Sequence, residues 1–436
     1  MIDKLKAPIS IQQELTEFCN HNCTHCYNYW RVGTSWQKDA EKIDSQKLLD
    51  IADRVVDGEV LHVVLTGGEP FVVPLSTLDA LVQKYHDGNV QVSINSNITL
   101  LKQEHIDFLI KHKLGVLTSV ISYDEAEFDA VTLKKGSFKK FCYNLEQLSS
   151  QGVSVGANMV VDKSRLSKVY DTGKLVASLG ARGFSGTRMS PSNSGVQQNY
   201  RDLVLDNADI PVLFDQLLAL EHDYGLMPQT LNALPFCAVD DGGKYASLLT
   251  RACNAGETGA GLSANGDLRL CLHFDMDVGN VLDTPLKDLW AKMPSWKLEY
   301  LDGSSCGSCV ESQRCGGGCR ENAYKMNGQL MGEDSLKRSP LVKRINEHYL
   351  DDIPAISYNG GVKVRDESFG AVLFRGSGSY AFVDSFALDL VKNTYSRPVL
   401  TRDDVLEIGT DIPFVDKVYV NRMFNNLVRN KIARRV

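Results

Sequence analysis

The sequence predicts an α/β chain in three parts: a partial six-unit barrel of parallel strands, a small cysteine-rich domain, and a C-terminal winged-helix-like βββααα domain. Three observations predict it. β-branched runs alternate with amphipathic stretches from Ile9 to about Pro191, glycine and cysteine concentrate in residues 251–345, and the charge balance changes sign in the tail. The 436 residues are 43% hydrophobic and 23% charged, an ordinary globular balance with length for several cores. No apolar run is long enough to span a bilayer and the N-terminal stretch lacks the order of a signal peptide, so the expected location is cytoplasmic, with no membrane partner.

The apolar runs at 9–15, 61–65, 90–95, 116–122, 153–161 and 183–189 are the expected strands. Between the first two, DSQKLLDIADRVVDG sets Leu48, Leu49, Ala52, Val55 and Val56 on one helical face and reaches Gly58, a suitable C-terminal cap. Six such units favour helical crossovers between parallel strands, hence an open or closed barrel with its chemistry at the C-terminal strand ends. Residues 197–250 hold one helical stretch, PVLFDQLLALEHDYG, and a connector. Residues 251–345 lack long periodic runs, as in small domains where metal stands in for core. The tail reads as strands VKVRDE, GAVLFR and SYAFVD, then helices near SFALDLVKNTY, TRDDVLEIG and DKVYVNRMFNNLVRNKIARRV. The expected domains are residues 1–230, 231–345 and 355–436.

The formal net charge is -7, so the whole molecule is not built as a polyanion binder. From Ile353 onward, 12 Lys and Arg face 9 Asp and Glu, a net of +3 that leaves -10 upstream. Eleven cysteines in a reducing compartment point to metal or a reactive thiol rather than to disulfides. CNHNCTHC puts Cys19, Cys23 and Cys26 directly after the first strand. Three thiolates on one loop hold three irons of a cubane cluster and leave the fourth open; a zinc site with His21 or His25 as fourth ligand is the alternative. LTGGEP ends the second strand beside that loop. Gly67 and Gly68 let backbone approach a ligand, and Glu69 offers a carboxylate to an ammonium group.

These two motifs together resemble those of the radical S-adenosylmethionine (SAM) enzymes. The resemblance implies that Cys19, Cys23 and Cys26 bind a [4Fe-4S] cluster, that SAM chelates its open iron, and that Gly67, Gly68, Glu69 and Pro70 hold the methionine end. It also implies reductive cleavage of SAM to a 5'-deoxyadenosyl radical that takes a hydrogen from an unactivated carbon, with an electron donor such as flavodoxin or ferredoxin. His25 occupies a position usually aromatic, against adenine. Along the barrel, Asn97 in INSNITLL (with Ile98 in place of a glycine), Ser122 in VISYD and Arg188 in GTRMSP match family strand ends. An arginine often found before the Gly-Ser-Phe turn is absent, which leaves Arg188 to carry the SAM carboxylate.

CGSCVESQRCGGGC, with Cys253 and Cys271 upstream, resembles the SPASM extension of these enzymes and implies one or two auxiliary [4Fe-4S] clusters, a zinc ribbon being the alternative. By position, Cys253, Cys271 and Cys319 hold the first cluster and Cys306, Cys309 and Cys315 the second. Each set is one ligand short. Cys237 is the expected addition to the first set; the family's final cysteine is missing, so the second takes Asp334 or keeps an open iron. Cys142 is read as core.

The tail, from KVRDESFGAVLF onward, resembles the PqqD-like recognition element of enzymes that mature ribosomally made peptides (RiPPs). That implies a precursor's leader adding a strand beside Ser379–Asp384 and packing on the last helix, whose apolar side carries Val420, Met423, Phe424, Leu427, Val428 and Ile432. A basic final helix also fits DNA, but the modest charge excess places a peptide ahead of nucleic acid. The expectation is a radical SAM/SPASM peptide maturase that installs a crosslink, a cyclophane-type carbon-carbon bond ahead of a thioether. A formylglycine-type sulfatase maturase and an iron-sulfur DNA-binding regulator are the alternatives.

Overall fold

The structure, a computed structural model, describes residues 4–28, 43–190, 200–274, 276–294, 296–343, 345, 351–376 and 378–436. The chain forms two compact units, Ala7–Asn346 and a smaller one from Met1–Lys6 with Glu347–Val436.

In the larger unit, β1 (Ser10–Glu14), β2 (His62–Thr66), β3 (Gln91–Ser96), β4 (Gly115–Val120), β5 (Val155–Val161), β6 (Gly183–Arg188) and β7 (Met227–Gln229) pair in parallel, in chain order. All six expected strands are present to within two residues at either end. The barrel is open. The second neighbour of β1 is β8 (Gly259–Leu262), also parallel, and antiparallel β9 (Asp267–Arg269) and β10 (Asp277–Asn280) extend the same sheet. The cysteine-rich region is therefore continuous with the barrel rather than a separate layer.

Strand pleating sorts the side chains between two faces. On the helix side, a Cβ added to Gly186 would lie 2.8 Å from Leu213 of the helix Asp209–Tyr224. On the inner side stand Gln12, Ser93, Asn95, Ser119, Asn158 and Thr187, polar and at least partly exposed, so the lumen is wet. The helix Ser45–Asp57 forms as expected, with Leu48, Ile51, Ala52 and Val55 buried and the Asp44 carboxylate accepting from Lys47 N. Gly58 caps it through an N–H donated to Arg54 O, yet in a right-handed conformation (φ -71°), and the left-handed turn falls on Glu59 (φ 56°).

In the smaller unit, β11 (Ala355–Tyr358) precedes β12 (Lys363–Glu367), β13 (Gly370–Gly376) and β14 (Ser379–Asp384), the last three forming the expected antiparallel meander. Helices Ser385–Thr394, Arg402–Ile408 and Lys417–Arg429 follow in the expected order. Unforeseen is a second sheet, in which β11 lies between β15 (Leu400–Thr401) and β16 (Ala433–Arg435). The last helix is consequently shorter than its apolar periodicity implied. It stops at Arg429, Lys431 turns left-handed (φ 57°), and Ile432 fills the core from the turn. Leu5 is buried, and Lys6 N donates to Glu367 Oε2 in this same unit. Among the described residues no helix is long and apolar enough to cross a membrane.

Candidate active site and auxiliary cluster sites

The cysteine loop leaves the C-terminal end of β1, and the protein itself fixes its course. Asn22 N and Thr24 N donate to Thr132 O and Val131 O at 3.1 and 3.0 Å, and Cys26 N donates to Cys23 O. His21 is buried, with Nε2 3.1 Å from both Thr99 Oγ1 and Ser137 Oγ, so that nitrogen is engaged within the protein. Cys19, Cys23 and Cys26 form no disulfide and are of intermediate exposure, and His25 lies half-buried between the last two. Three soft donors facing an open polar lumen fit a cluster with one accessible iron.

The two glycines act on the chain rather than on a ligand alone. Gly67 is left-handed (φ 123°) and a Cβ there would sit 2.5 Å from Thr16 O; one on Gly68 would fall 1.9 Å from Phe18 O. They let the GGEP turn lie against the root of the cysteine loop, held by Gly68 N to Thr16 O (2.7 Å) and Glu69 N to Phe18 O (2.9 Å). Pro70 opens the short 3-10 helix Pro70–Val72, where its missing N–H costs nothing. Glu69 is buried, and its Oε1 accepts from Ser96 Oγ (2.7 Å) and Phe71 N (3.1 Å) while Oε2 accepts from Asn97 N (2.9 Å). Burial lifts its carboxyl to about 7 against these hydrogen bonds, which pull the other way.

Asn97 reaches the cysteine loop. Its Nδ2 donates to Asn20 Oδ1 at 2.8 Å and lies 3.8 Å from Cys19 Sγ. Ile98, standing where the resemblance led us to look for glycine, is β-branched yet left-handed (φ 55°) and fully buried, a strained residue beside the site. Ser122 has no exposed surface, and its hydroxyl accepts from Asp124 N in the turn before the helix Glu125–Thr132. That bond uses one acceptor position of the hydroxyl.

Two expectations fail together. Arg188, at the end of β6, does not face a SAM carboxylate: its guanidinium binds Asp334 at 2.5 and 2.8 Å and Ala233 O at 3.1 Å. Asp334 in turn also accepts from Cys319 N (2.8 Å) and Leu336 N (3.0 Å), with no side-chain surface exposed, so it is not free to ligate iron. The buried pair ties the sixth barrel strand to the cysteine-rich region.

Cys237 also changes partners. It lines one small cavity with Cys306, Cys309 and Cys315, not with Cys253 and Cys271. Each of the four sulfurs meets a polar group: Arg338 N donates to Cys237 (3.2 Å), Leu341 N to Cys309 (3.3 Å) and Phe236 N to Cys315 (3.3 Å), and Tyr300 Oη lies 3.5 Å from Cys306. Hydrogen bonds to sulfur are what a cluster-bound thiolate requires. Lys337 pairs with Glu333 and Ser305 on the wall of this cavity.

Cys253 lies within electrostatic reach of both Cys271 and Cys319. Backbone N–H groups of Arg320 and Ala255 serve Cys253, those of His273 and Phe274 serve Cys271, and that of Asn322 serves Cys319. Burial and mutual repulsion push the Cys271 thiol up to about 12 and the Cys319 thiol well above its ordinary value. Bound metal reverses this by stabilising the thiolates. Sequence reasoning missed three residues here. Tyr27, next to Cys26, stacks on His273 (centroids 4.0 Å apart, planes at 3°), and His273 Nδ1 lies 3.8 Å from the buried Glu321. Their only signal was adjacency: each lies one or two positions after a cysteine. Cys142 packs against the core from the helix Ser137–Ser150, as expected.

Residues 14–164 match the radical SAM superfamily, and residues 253–315 match SPASM, an iron-sulfur cluster-binding domain. The chain is 25% identical over 333 residues to the antilisterial bacteriocin subtilosin biosynthesis protein AlbA of Bacillus subtilis, covering 73% of this chain and 69% of AlbA. It is 24% identical over 347 residues to the AdoMet-dependent heme synthase of Nitratidesulfovibrio vulgaris (75% and 91% covered). It is 26% identical over 344 residues to the mycofactocin maturase MftC of Mycolicibacterium smegmatis (76% and 82%). Streptococcus suis SuiB, solved bound to its precursor peptide SuiA, shares the fold with a TM-score of 0.60 at 18% identity over 76% of each chain. The chain thus carries a radical SAM domain followed by a SPASM domain, and is an enzyme whose cofactors are S-adenosylmethionine and [4Fe-4S] clusters.

Proposed function

We propose that the chain is a RiPP maturase that binds a precursor peptide through its leader and crosslinks residues of the peptide by SAM-derived radical chemistry. The observation that carries this reading beyond SAM cleavage is the smaller unit. Among the described residues β14 has a sheet partner on one side only, β13, and the helix Lys417–Arg429 packs against it. Asn426 Nδ2 donates to Phe382 O of β14 at 2.9 Å, marking a strand edge with an outward carbonyl. Phe386, Phe414 and Tyr419 form a cluster with centroids 5.4 to 6.4 Å apart, Phe414 being 56% exposed, and Lys417, Arg422 and Arg429 are exposed on the helix. An edge strand, an aromatic anchor and a basic helix suit an acidic extended peptide. Two of the relatives, AlbA and MftC, are named for peptide-derived products or maturation, and SuiB was solved with a precursor peptide.

In the larger unit, Cys19, Cys23 and Cys26 would hold the SAM-binding cluster, and Cys237, Cys306, Cys309 and Cys315 an auxiliary one. Bound there, cluster and SAM supply one-electron cleavage of the sulfonium and a 5'-deoxyadenosyl radical. The chain's own contribution is placement. Glu69 keeps acceptor capacity on Oε2 for the SAM ammonium, and Asn95, Ser119 and Asn158 line the lumen where peptide must enter. A flavodoxin or ferredoxin supplies electrons, in the cytoplasm, and a cyclophane-type carbon-carbon bond is the product placed ahead of a thioether.

The test of leader binding is fluorescence anisotropy of labelled leader segments, taken from short peptides encoded beside the gene, against the full chain. Binding that weakens at least about tenfold in an Arg422→Glu/Arg429→Glu variant is expected, given about 1 kcal/mol or more per charged contact. Salt-sensitive binding of duplex DNA, with no peptide bound, would instead favour the regulator reading.

A further inference from the structure

We infer that Glu321 closes the first auxiliary site as the fourth ligand beside Cys253, Cys271 and Cys319. The inference rests on the reading that these three cysteines hold a cluster. Glu321 stands two residues after Cys319, in the helix Arg320–Asn327 that Cys319 caps, and is 1% exposed. Both carboxylate oxygens are buried with no hydrogen-bond partner. The nearest cation, Lys325 Nζ, lies 3.3 Å from Oε1 one helical turn on, and His273 Nδ1, at 3.8 Å from Oε2, is beyond hydrogen-bonding distance.

A carboxylate withdrawn from water must be paired fully or coordinate a metal. The Glu321 charge reaches the Cys271 and Cys319 thiols, and of the arginines beside these cysteines Arg188 is bound to Asp334 and Arg320 donates to backbone carbonyls, which leaves Lys325 as the lysine facing the carboxylate. The Asp334 carboxylate, equally buried, receives two bonds from Arg188 and two from backbone N–H groups. That of Glu321 receives none. The cluster supplies the missing partner, because its fourth iron needs one more donor and iron accepts carboxylate oxygen as well as thiolate sulfur. The outcome is a site with three sulfur ligands and one oxygen ligand, next to an all-cysteine site on Cys237, Cys306, Cys309 and Cys315. The ring of His273, stacked on Tyr27, limits where the Glu321 carboxylate can turn.

The experiment uses the full chain, reconstituted anaerobically with 57Fe, as wild type, E321Q and E321C. The inference expects about twelve irons per chain in the wild type and E321C. It expects a distinct oxygen-ligated iron in the wild-type Mössbauer spectrum that is lost in E321C. It also expects E321Q to expose an iron that binds added cyanide, with a shifted electron paramagnetic resonance signal of one cluster. Wild-type spectra in both variants, with no cyanide effect, would overturn it. Where E321Q does not fold, E321D must keep the oxygen-ligated iron, and its loss there with full iron content overturns the inference too. A Cys253→Ala/Cys271→Ala variant separates the two claims. Loss of about four irons leaves the cluster in place whatever Glu321 does, whereas undiminished iron removes the cluster and the ligand together.

Discussion

The mouth of the barrel and the cysteine-rich region solve the same problem, holding several thiols together, in opposite ways. At the mouth, the chain does the positioning: the loop backbone hydrogen-bonds to residues 131 and 132, His21 is locked between two hydroxyls, and Glu69 collects three donors. In the cysteine-rich region, short helices and turns surround two groups of thiols, and burial opposes the ionisation of Cys237, Cys271, Cys315 and Cys319 among them. The difference teaches that the first site is organised before anything binds, whereas the second region is completed by what it binds.

Removing metal is the strongest test of that contrast. Chelation under anaerobic conditions should collapse amide-exchange protection across residues 253–336 by at least about 100-fold while β2 to β5 stay protected, since structural metal sites carry folding energy outright. Uniform loss, or none, breaks the comparison. Next in size is Asp334→Ala, which strands the Arg188 charge in the interior and should cost about 3–5 kcal/mol in chemical denaturation. Asp334→Asn, by keeping shape and some hydrogen bonds, should retain the wild-type iron content; loss of iron there at unchanged fold would restore Asp334 as a ligand.

Gly68→Ala sharpens the picture of the mouth. Its Cβ has no room beside Phe18 O, so the GGEP turn must part from the cysteine loop. We expect a loss of about 1–3 kcal/mol and a weaker binding of SAM, measured by calorimetry. Wild-type affinity would mean the close approach is incidental. The smallest effect is the pH dependence of Glu69. Folding raises its carboxyl from the ordinary 4.5 to about 7, so the unfolded chain gives up this proton first. Its contribution is full below about pH 4.5 and is lost as pH rises through 7. Between pH 6 and 8 the wild type should lose about 1 kcal/mol relative to Glu69→Gln in paired denaturation curves.

Much of the larger unit was legible because its signals are local. Parallel strands buried on the helix side leave β-branched runs, and a helix such as Ser45–Asp57 shows its face and caps within thirteen residues. The cysteine loop and LTGGEP were legible for the same reason. What stayed hidden depends on contacts across long separations. Nothing local tells Arg188 that Asp334 lies 146 positions away, and pairing them withdraws one residue from SAM and the other from iron. Cys237 was assigned by nearness in sequence to Cys253, while the fold carries it to Cys306, Cys309 and Cys315. Glu321 went unread because an acid in a helix ordinarily faces water. In the tail, Ile432 continued the helical periodicity even though Lys431 turns the chain into β16.

The central claim is that radical chemistry at the barrel mouth is spent on a peptide. The most direct measurement is the intact and tandem mass of each short peptide encoded beside the gene, incubated anaerobically with reconstituted enzyme, SAM and reductant. The expected result is 5'-deoxyadenosine release coupled to loss of two hydrogens, mapped to one bonded pair of residues, and neither event with Cys23→Ala. Deoxyadenosine formed with every candidate peptide unchanged would contradict it.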